Sequence, residues 1–143
     1  MKYLLLLLAL AATPAAAQIK VEDAWMRATP PGAKIAAGYV TIRNAGAADR
    51  LVGISSPAAE RVETHITRHE GDVARMREVK GYEVPANGTL ELKPGGAHLM
   101  FVNIKAPMKE GTSVPATLEF QRAGEIKAEF QVRPLAGGEH HGH

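Results

Sequence analysis

The chain has 143 residues, a formal net charge of +2 and no cysteine. The absence of thiols excludes disulfide exchange, cysteine nucleophiles, thiolate zinc sites and the cysteine-ligated blue-copper centre. Basic and acidic residues are interspersed and aromatic residues make up only 5% of the chain. The sequence therefore lacks the basic face with stacking aromatics that nucleic-acid binding needs.

Residues 1–17 have the pattern of a secretory signal peptide. Lys2 gives a short positive region, an apolar run of about ten residues extends from Tyr3 to Ala12, and Ala15-Ala16-Ala17 supplies the small residues of a cleavage site. The apolar run is shorter than the roughly twenty residues that span a bilayer. We expect an exported, periplasmic protein starting at Gln18, with no membrane insertion of the mature chain and no cysteine at the cleavage site to carry a lipid.

Residues 18–134 are expected to form one domain. Short runs with alternating apolar and polar residues are separated by turn signals, among them Pro94-Gly95-Gly96. About nine such runs predict an all-β protein with an antiparallel β-sandwich or barrel. The predicted strands are Ile19–Arg27, Ala36–Asn44, Arg50–Ser55, Arg61–Thr67, Val73–Val79, Thr89–Lys93, His98–Ile104, Ala116–Gln121 and Glu125–Val132.

Two histidines and two methionines are the candidate metal ligands. His65, Met76, His98 and Met100 are separated by ten, twenty-one and one residues. Two imidazoles and two thioethers without a thiolate suit Cu(I) better than the other common metal ions. Because side chains alternate along a strand, His98 and Met100 share a face, with Cα atoms about 6.5 Å apart.

The neighbours of the other two candidates argue against burial in a core. His65 shares its strand face with Glu63, and Met76 shares its face with Glu78, so both faces are polar. The turn Glu70-Gly71-Asp72 predicts that their strands form one hairpin. A single strand Met is most often core filler and a single exposed His is most often solvated. The evidence for a metal site is therefore the pattern and not any one residue.

This pattern resembles the motif of the periplasmic copper chaperone family PCu(A)C. The motif is His, ten residues, Met, twenty-one residues, His, one residue, Met, and it fits this chain without a gap. One departure is Ile66, because some members carry a second Met next to or near the first His. The resemblance extends over the segments Trp25-Met26-Arg27-Ala28-Thr29-Pro30-Pro31-Gly32, Gly38-Tyr39-Val40-Thr41-Ile42-Arg43-Asn44, Ser56-Pro57-Ala58-Ala59-Glu60-Arg61-Val62-Glu63 and Lys93-Pro94-Gly95-Gly96-Ala97-His98-Leu99-Met100.

The resemblance implies a cupredoxin-like β-sandwich that holds one Cu(I) ion near its surface on His65, Met76, His98 and Met100. It also implies delivery of copper to cytochrome c oxidase, chiefly the dinuclear centre of subunit II. Delivery would occur alone or together with a Sco-type thiol protein.

The sequence leaves alternatives to this expectation. A copper buffering or tolerance protein without an oxidase acceptor would use the same ligands. An Ig-like structural module with incidental His and Met would bind no Cu(I). An enzyme is not expected, because neither a Gly-x-Ser-x-Gly elbow nor a His-Glu-x-x-His helix occurs.

The remaining histidines have weaker interpretations. His69, beside the Glu70-Gly71-Asp72 turn, is expected to be a solvated loop residue. Residues 135–143 cannot bury apolar surface and are predicted to be a disordered tail. The tail histidines are a solvated end, a cloning remnant or an auxiliary Cu(II) site, since imidazole clusters favour Cu(II); they are His140, His141 and His143.

Overall fold

The structure is a computed structural model that describes residues 18–134. The predicted signal peptide, residues 1–17, and the predicted His-containing tail, residues 135–143, lie outside the described residues. Both assignments, and the Cu(II) role of the tail, therefore stay predictions.

Residues 18–134 contain ten β-strands and no α-helix, which confirms the all-β prediction. No helix in this part of the chain is long and apolar enough to cross a membrane. The strands are β1 (Ile19–Arg27), β2 (Ile35–Asn44), β3 (Asp49–Ser55), β4 (Ala59–Glu70), β5 (Val73–Glu78), β6 (Tyr82–Val84), β7 (Gly88–Leu92), β8 (His98–Ile104), β9 (Ser113–Phe120) and β10 (Gly124–Arg133).

The strands form a closed barrel with three attached strands. The order around the barrel is β4-β8-β2-β1-β10-β9-β3, and β3 pairs back to β4 through Ile54 and Val62. Outside this ring, β5 pairs with β4, β6 with β3 and β7 with β2. The sequence prediction missed β6, because three residues are too few for alternation to show. The β4–β5 hairpin is present as predicted.

One strand pair runs in the parallel direction. β1 lies beside β10 with Trp25 opposite Gln131, so the first and last strands of the domain are neighbours. The other pairings are antiparallel, as predicted. Side-chain alternation has the same period in both directions, so the sequence pattern does not distinguish them.

The core inside the barrel determines which side chains of β8 face outward. Leu99 and Phe101 are fully buried, and the Phe101 ring meets Phe130 edge to face with centroids 5.5 Å apart. Gly38 on β2 makes room for this pair, because a Cβ there would lie 2.7 Å from the Phe101 ring. Since alternate residues of β8 point into the core, His98 and Met100 lie on the outer face.

Candidate metal site

The register of three adjacent strands brings the four predicted ligands to one face of the sheet. Paired residues of antiparallel strands project to the same face, and so do residues two apart on one strand. The defining pairs are Thr67 with Met76, His65 with His98, and Glu63 with Met100. All four predicted ligands therefore lie on the outer face of β5, β4 and β8.

The His98 imidazole is buried and has one free nitrogen. Its side chain is on the outer face, yet the residue is only 4% exposed. Nδ1 lies 3.1 Å from the carbonyl oxygen of Gly96, so Nδ1 carries the proton and donates it. Nε2 is buried and has no hydrogen-bond partner among residues 18–134. Its lone pair is available to a metal ion.

A tight turn before β8 fixes this orientation of His98. Gly95 has φ of 84°, a conformation that favours glycine. The Gly96 carbonyl accepts a hydrogen bond from the Thr67 backbone N–H at 3.1 Å as well as from the His98 ring. The turn is thereby joined to β4, and the ring is held in one tautomer.

The His65 imidazole uses the opposite arrangement of its nitrogens. Nε2 lies 3.0 Å from Oε1 of Glu63 and donates to it, while Nδ1 is buried and has no partner within the part of the chain that the structure describes. The rings of His65 and His98 have centroids 5.6 Å apart and planes inclined by 32°. Most buried polar atoms have a partner, so two unsatisfied nitrogens on neighbouring rings are an unusual feature.

Glu63 is in turn held by a cation. Nε of Arg61 donates to Oε2 of Glu63 at 2.8 Å. The hydrogen bond from Arg61, followed by that from His65, lowers the pKa of Glu63. The carboxylate therefore stays ionised and keeps the proton of His65 on Nε2.

Tyr82 on β6 connects the backbones of the two histidines. Its hydroxyl lies 2.6 Å from the carbonyl oxygen of His65 and 2.7 Å from that of His98, and it shares its one proton between them. Tyr82 is buried, and this burial raises its pKa to about 12. The hydroxyl thus ties β4 to β8 at the level of the imidazole pair.

The two methionines differ in exposure. Met76 is 64% exposed on β5, an edge strand on which all six residues are exposed. Met100 is half-buried on β8. The site therefore has a buried nitrogen side and a solvent-accessible thioether.

Sequence reasoning missed Tyr82 and misplaced His69. Tyr82 belongs to the strand that was not predicted, and no motif marks it. His69 lies at the exposed end of β4 and not in a loop, with Nε2 3.3 Å from the carbonyl oxygen of Gly95. The loop assignment failed because β4 continues to Glu70, three residues beyond the predicted end.

The chain is similar in sequence to a known family and to a relative within the same range of residues. Residues 19–132 match the LpqE-like family model, described as "Putative lipoprotein LpqE-like". Over 121 residues the chain is 32% identical to "Putative lipoprotein Lxx21020" of Leifsonia xyli subsp. xyli (strain CTCB07). The aligned region covers 83% of this chain and 72% of that protein.

Two solved structures extend the similarity to three dimensions. The copper-bound PCuAC domain from PmoF2 has 28% identity and a TM-score of 0.72, over 82% of this chain and 93% of that domain. The solution structure of CuI-DR1885 from Deinococcus radiodurans has 32% identity and a TM-score of 0.65, over 86% of this chain and 85% of that chain. The chain belongs to the LpqE-like PCuAC family. Membership in the PCuAC family confirms the resemblance found in the sequence and the expected cupredoxin-like β-fold.

Proposed function

We propose that this PCuAC protein binds one Cu(I) ion through His65, Met76, His98 and Met100 and transfers it to an acceptor outside the cytoplasm. The observation that carries the proposal is the pair of buried, unpartnered nitrogens, Nδ1 of His65 and Nε2 of His98. Leaving such atoms unsatisfied costs free energy. A metal ion that accepts both lone pairs removes this cost.

The donor set favours Cu(I) over other ions. Soft thioethers select a soft monovalent ion, and a loose tetrahedral arrangement of two nitrogens and two sulfurs suits its closed shell. Hard divalent ions gain little from Met76 and Met100. The names of two similar structures support this choice, since one is a copper-bound PCuAC domain and another is CuI-DR1885.

The exposure of Met76 supports transfer and not only storage. An incoming ligand can reach the ion from the solvent side and replace this thioether while both imidazoles remain bound. Release in single steps avoids a free ion. A protein that only binds copper has no need for an open side, and one site in a domain of this size stores little metal.

We further propose that the acceptor is subunit II of cytochrome c oxidase, which receives copper from this protein alone or together with a Sco-type thiol protein. The protein acts as a carrier and not as an enzyme. Export to the periplasm is supported by the word lipoprotein in the names of the family and of the Leifsonia relative.

The binding step is tested by Cu(I) titration combined with X-ray absorption spectroscopy. The unchanged chain should bind one ion with two nitrogen and two sulfur neighbours. The double variant Met76→Leu, Met100→Leu should lose the sulfur scattering and most of its Cu(I) affinity. Met108→Leu is the matched control, because Met108 is buried in the core and should bind as the unchanged chain does. Equal affinity and equal sulfur scattering in the double variant would refute this ligand set.

The transfer step needs a separate experiment. Cu(I)-loaded protein is mixed with the apo soluble domain of oxidase subunit II, with and without a Sco-type protein, and the copper content of each is measured after separation. Copper should move to the oxidase domain. Retention on this chain under both conditions would favour the copper-buffering alternative.

A further inference from the structure

The far part of the β4–β5 hairpin is exposed on both of its faces. The pairing of β4 with β8 ends at His65, and beyond this residue β4 pairs with no strand of residues 18–134 except β5. The last three residues of β4 and all six residues of β5 are exposed. Met76 lies on the face that the candidate ligands share. The opposite face of the hairpin is therefore a separate surface, which the copper site does not use.

This opposite face carries a cluster of cations. Arg68 on β4 lies directly opposite Arg75 on β5, and Arg77 follows two residues later on the same face. Lys80 comes shortly after the end of β5, and all four residues are exposed. We call Arg68, Arg75, Arg77 and Lys80 the basic surface. Like charges at directly opposed positions destabilise a strand pair, so this arrangement lowers the stability of the isolated protein.

The described residues leave most of this positive charge unbalanced. Nε of Arg75 lies 3.3 Å from Oε2 of Glu70, and both side chains of this pair are mostly exposed. Arg68, Arg77 and Lys80 form no ion pair within residues 18–134. The basic surface therefore has three cations that an anionic partner can neutralise.

A cleft adjoins the basic surface at the end of β5. It has a volume of about 530 Å³ and is lined by Arg77, Glu78, Val79 and Lys80. Two cations and one carboxylate thus surround an opening that is large enough for an acidic side chain. A guanidinium binds a carboxylate through two parallel hydrogen bonds, which fixes orientation as well as supplying attraction.

We propose that the basic surface docks the copper acceptor through an acidic patch on that protein. The inference rests on the proposed function and specifies how its partner is recognised. Met76 stands between Arg75 and Arg77 in β5, with its side chain on the other face. Because β5 is an edge strand, a partner held by the arginines can reach around the open edge to Met76. Docking and ligand exchange then take place at the same strand.

The tip of the hairpin favours a protein over an anionic membrane as the partner. Glu70 and Asp72 lie on either side of Gly71 at the turn, and both are exposed. An anionic bilayer that met the arginines would also approach these two carboxylates and be repelled by them. A protein can place its acidic residues against the arginines alone, since charge complementarity between proteins is set residue by residue.

The test measures the second-order rate of Cu(I) transfer from the full chain to the apo soluble domain of oxidase subunit II, at low and at high ionic strength. The double variant Arg68→Gln, Arg77→Gln should be slower by about tenfold at low ionic strength, because electrostatic steering raises association rates by this factor or more. Added salt should slow the unchanged chain strongly and the double variant little. Lys20→Gln, Lys127→Gln is the matched control, because it removes two exposed charges on β1 and β10 and should behave as the unchanged chain does.

Cu(I) affinity should be the same in all three proteins, because neither arginine is a candidate ligand. Equal transfer rates in the double variant and the control would overturn the proposal. Binding of the full chain to phosphatidylglycerol vesicles that the double variant loses would overturn it too, since this result would assign the basic surface to a membrane. Failure of the proposed function has a different signature, in which the unchanged chain binds no Cu(I) or transfers none. Docking is then still measured as salt-dependent association of the copper-free chain with the oxidase domain, which the double variant should weaken and the control should not.

Discussion

His65 on β4 and His98 on β8 lie directly opposite each other, and their carbonyl oxygens accept hydrogen bonds from the same buried hydroxyl. The pairing sets the distance between the two rings, and Tyr82 secures the backbone on which they stand. Metal affinity should therefore depend on a residue that does not contact the ion.

The variant Tyr82→Phe tests this dependence. Removal of the hydroxyl leaves two buried carbonyl oxygens without their partner, which should lower the free energy of unfolding by about 1–3 kcal/mol. Cu(I) affinity should fall as well, because the imidazoles are held less firmly. Urea unfolding of the apo protein and Cu(I) competition with a chelator measure the two effects. Tyr39→Phe is the control, and an equal change in both variants would contradict the role of Tyr82.

Tyr82 also makes the apo protein sensitive to alkaline pH. Burial raises its pKa from 10.0 to about 12, so the folded state holds the phenol proton more tightly than the unfolded state. Its contribution to stability is complete below pH 10 and is lost as the pH rises through 12. This difference in pKa between the folded and unfolded states corresponds to roughly 2–3 kcal/mol in the free energy of unfolding. The difference in unfolding free energy between the unchanged chain and Tyr82→Phe should shrink over this range. A difference independent of pH would show that Tyr82 titrates normally.

Cu(I) should stabilise the folded protein. An ion that binds only the native state adds about 2.7 kcal/mol when its free concentration is one hundred times Kd. Thermal unfolding with buffered Cu(I) should show a higher Tm for the unchanged chain and little change for the double variant Met76→Leu, Met100→Leu. The same rise in Tm in both proteins would show that Cu(I) binds at residues other than Met76 and Met100.

Gly38 is expected to tolerate no side chain. A Cβ at this position would lie 2.7 Å from the Phe101 ring, so Gly38→Ala should cost about 1–3 kcal/mol through overpacking. Gly53→Ala is a fair control, since its Cβ would meet only a carboxylate oxygen of Glu119, at the ordinary contact distance of 3.6 Å. Denaturant unfolding of both variants checks this. An unchanged free energy of unfolding in Gly38→Ala would mean that the core relaxes around the added methyl group.

Local patterns were sufficient to predict nine of the ten strands in residues 18–134 and the face of each candidate ligand. Alternation around His98 and Met100 gave their shared face, and the Glu70-Gly71-Asp72 turn gave the hairpin that joins His65 to Met76. These features depend only on period-two geometry and on turn chemistry. Such signals act within a few residues.

Several features that the sequence did not reveal depend on how the strands and rings are placed in three dimensions. The pairing of β4 with β8, and hence of His65 with His98, is a property of topology. Tyr82 contacts the carbonyl oxygens of both histidines only because β6 pairs with β3, where Tyr82 lies opposite Leu51. The tautomers depend on Glu63 and on the Gly96 carbonyl, which are known only once the rings are oriented.

The barrel closes through β3 and β4 without any help from β5. All six residues of β5 are exposed, and the ring of barrel strands does not include this strand. If the proposed Cu(I) site is correct, we expect release of the ion to follow a fixed order. The exposed thioether of Met76 on the edge strand would leave first, and the imidazoles of the closed barrel would leave last.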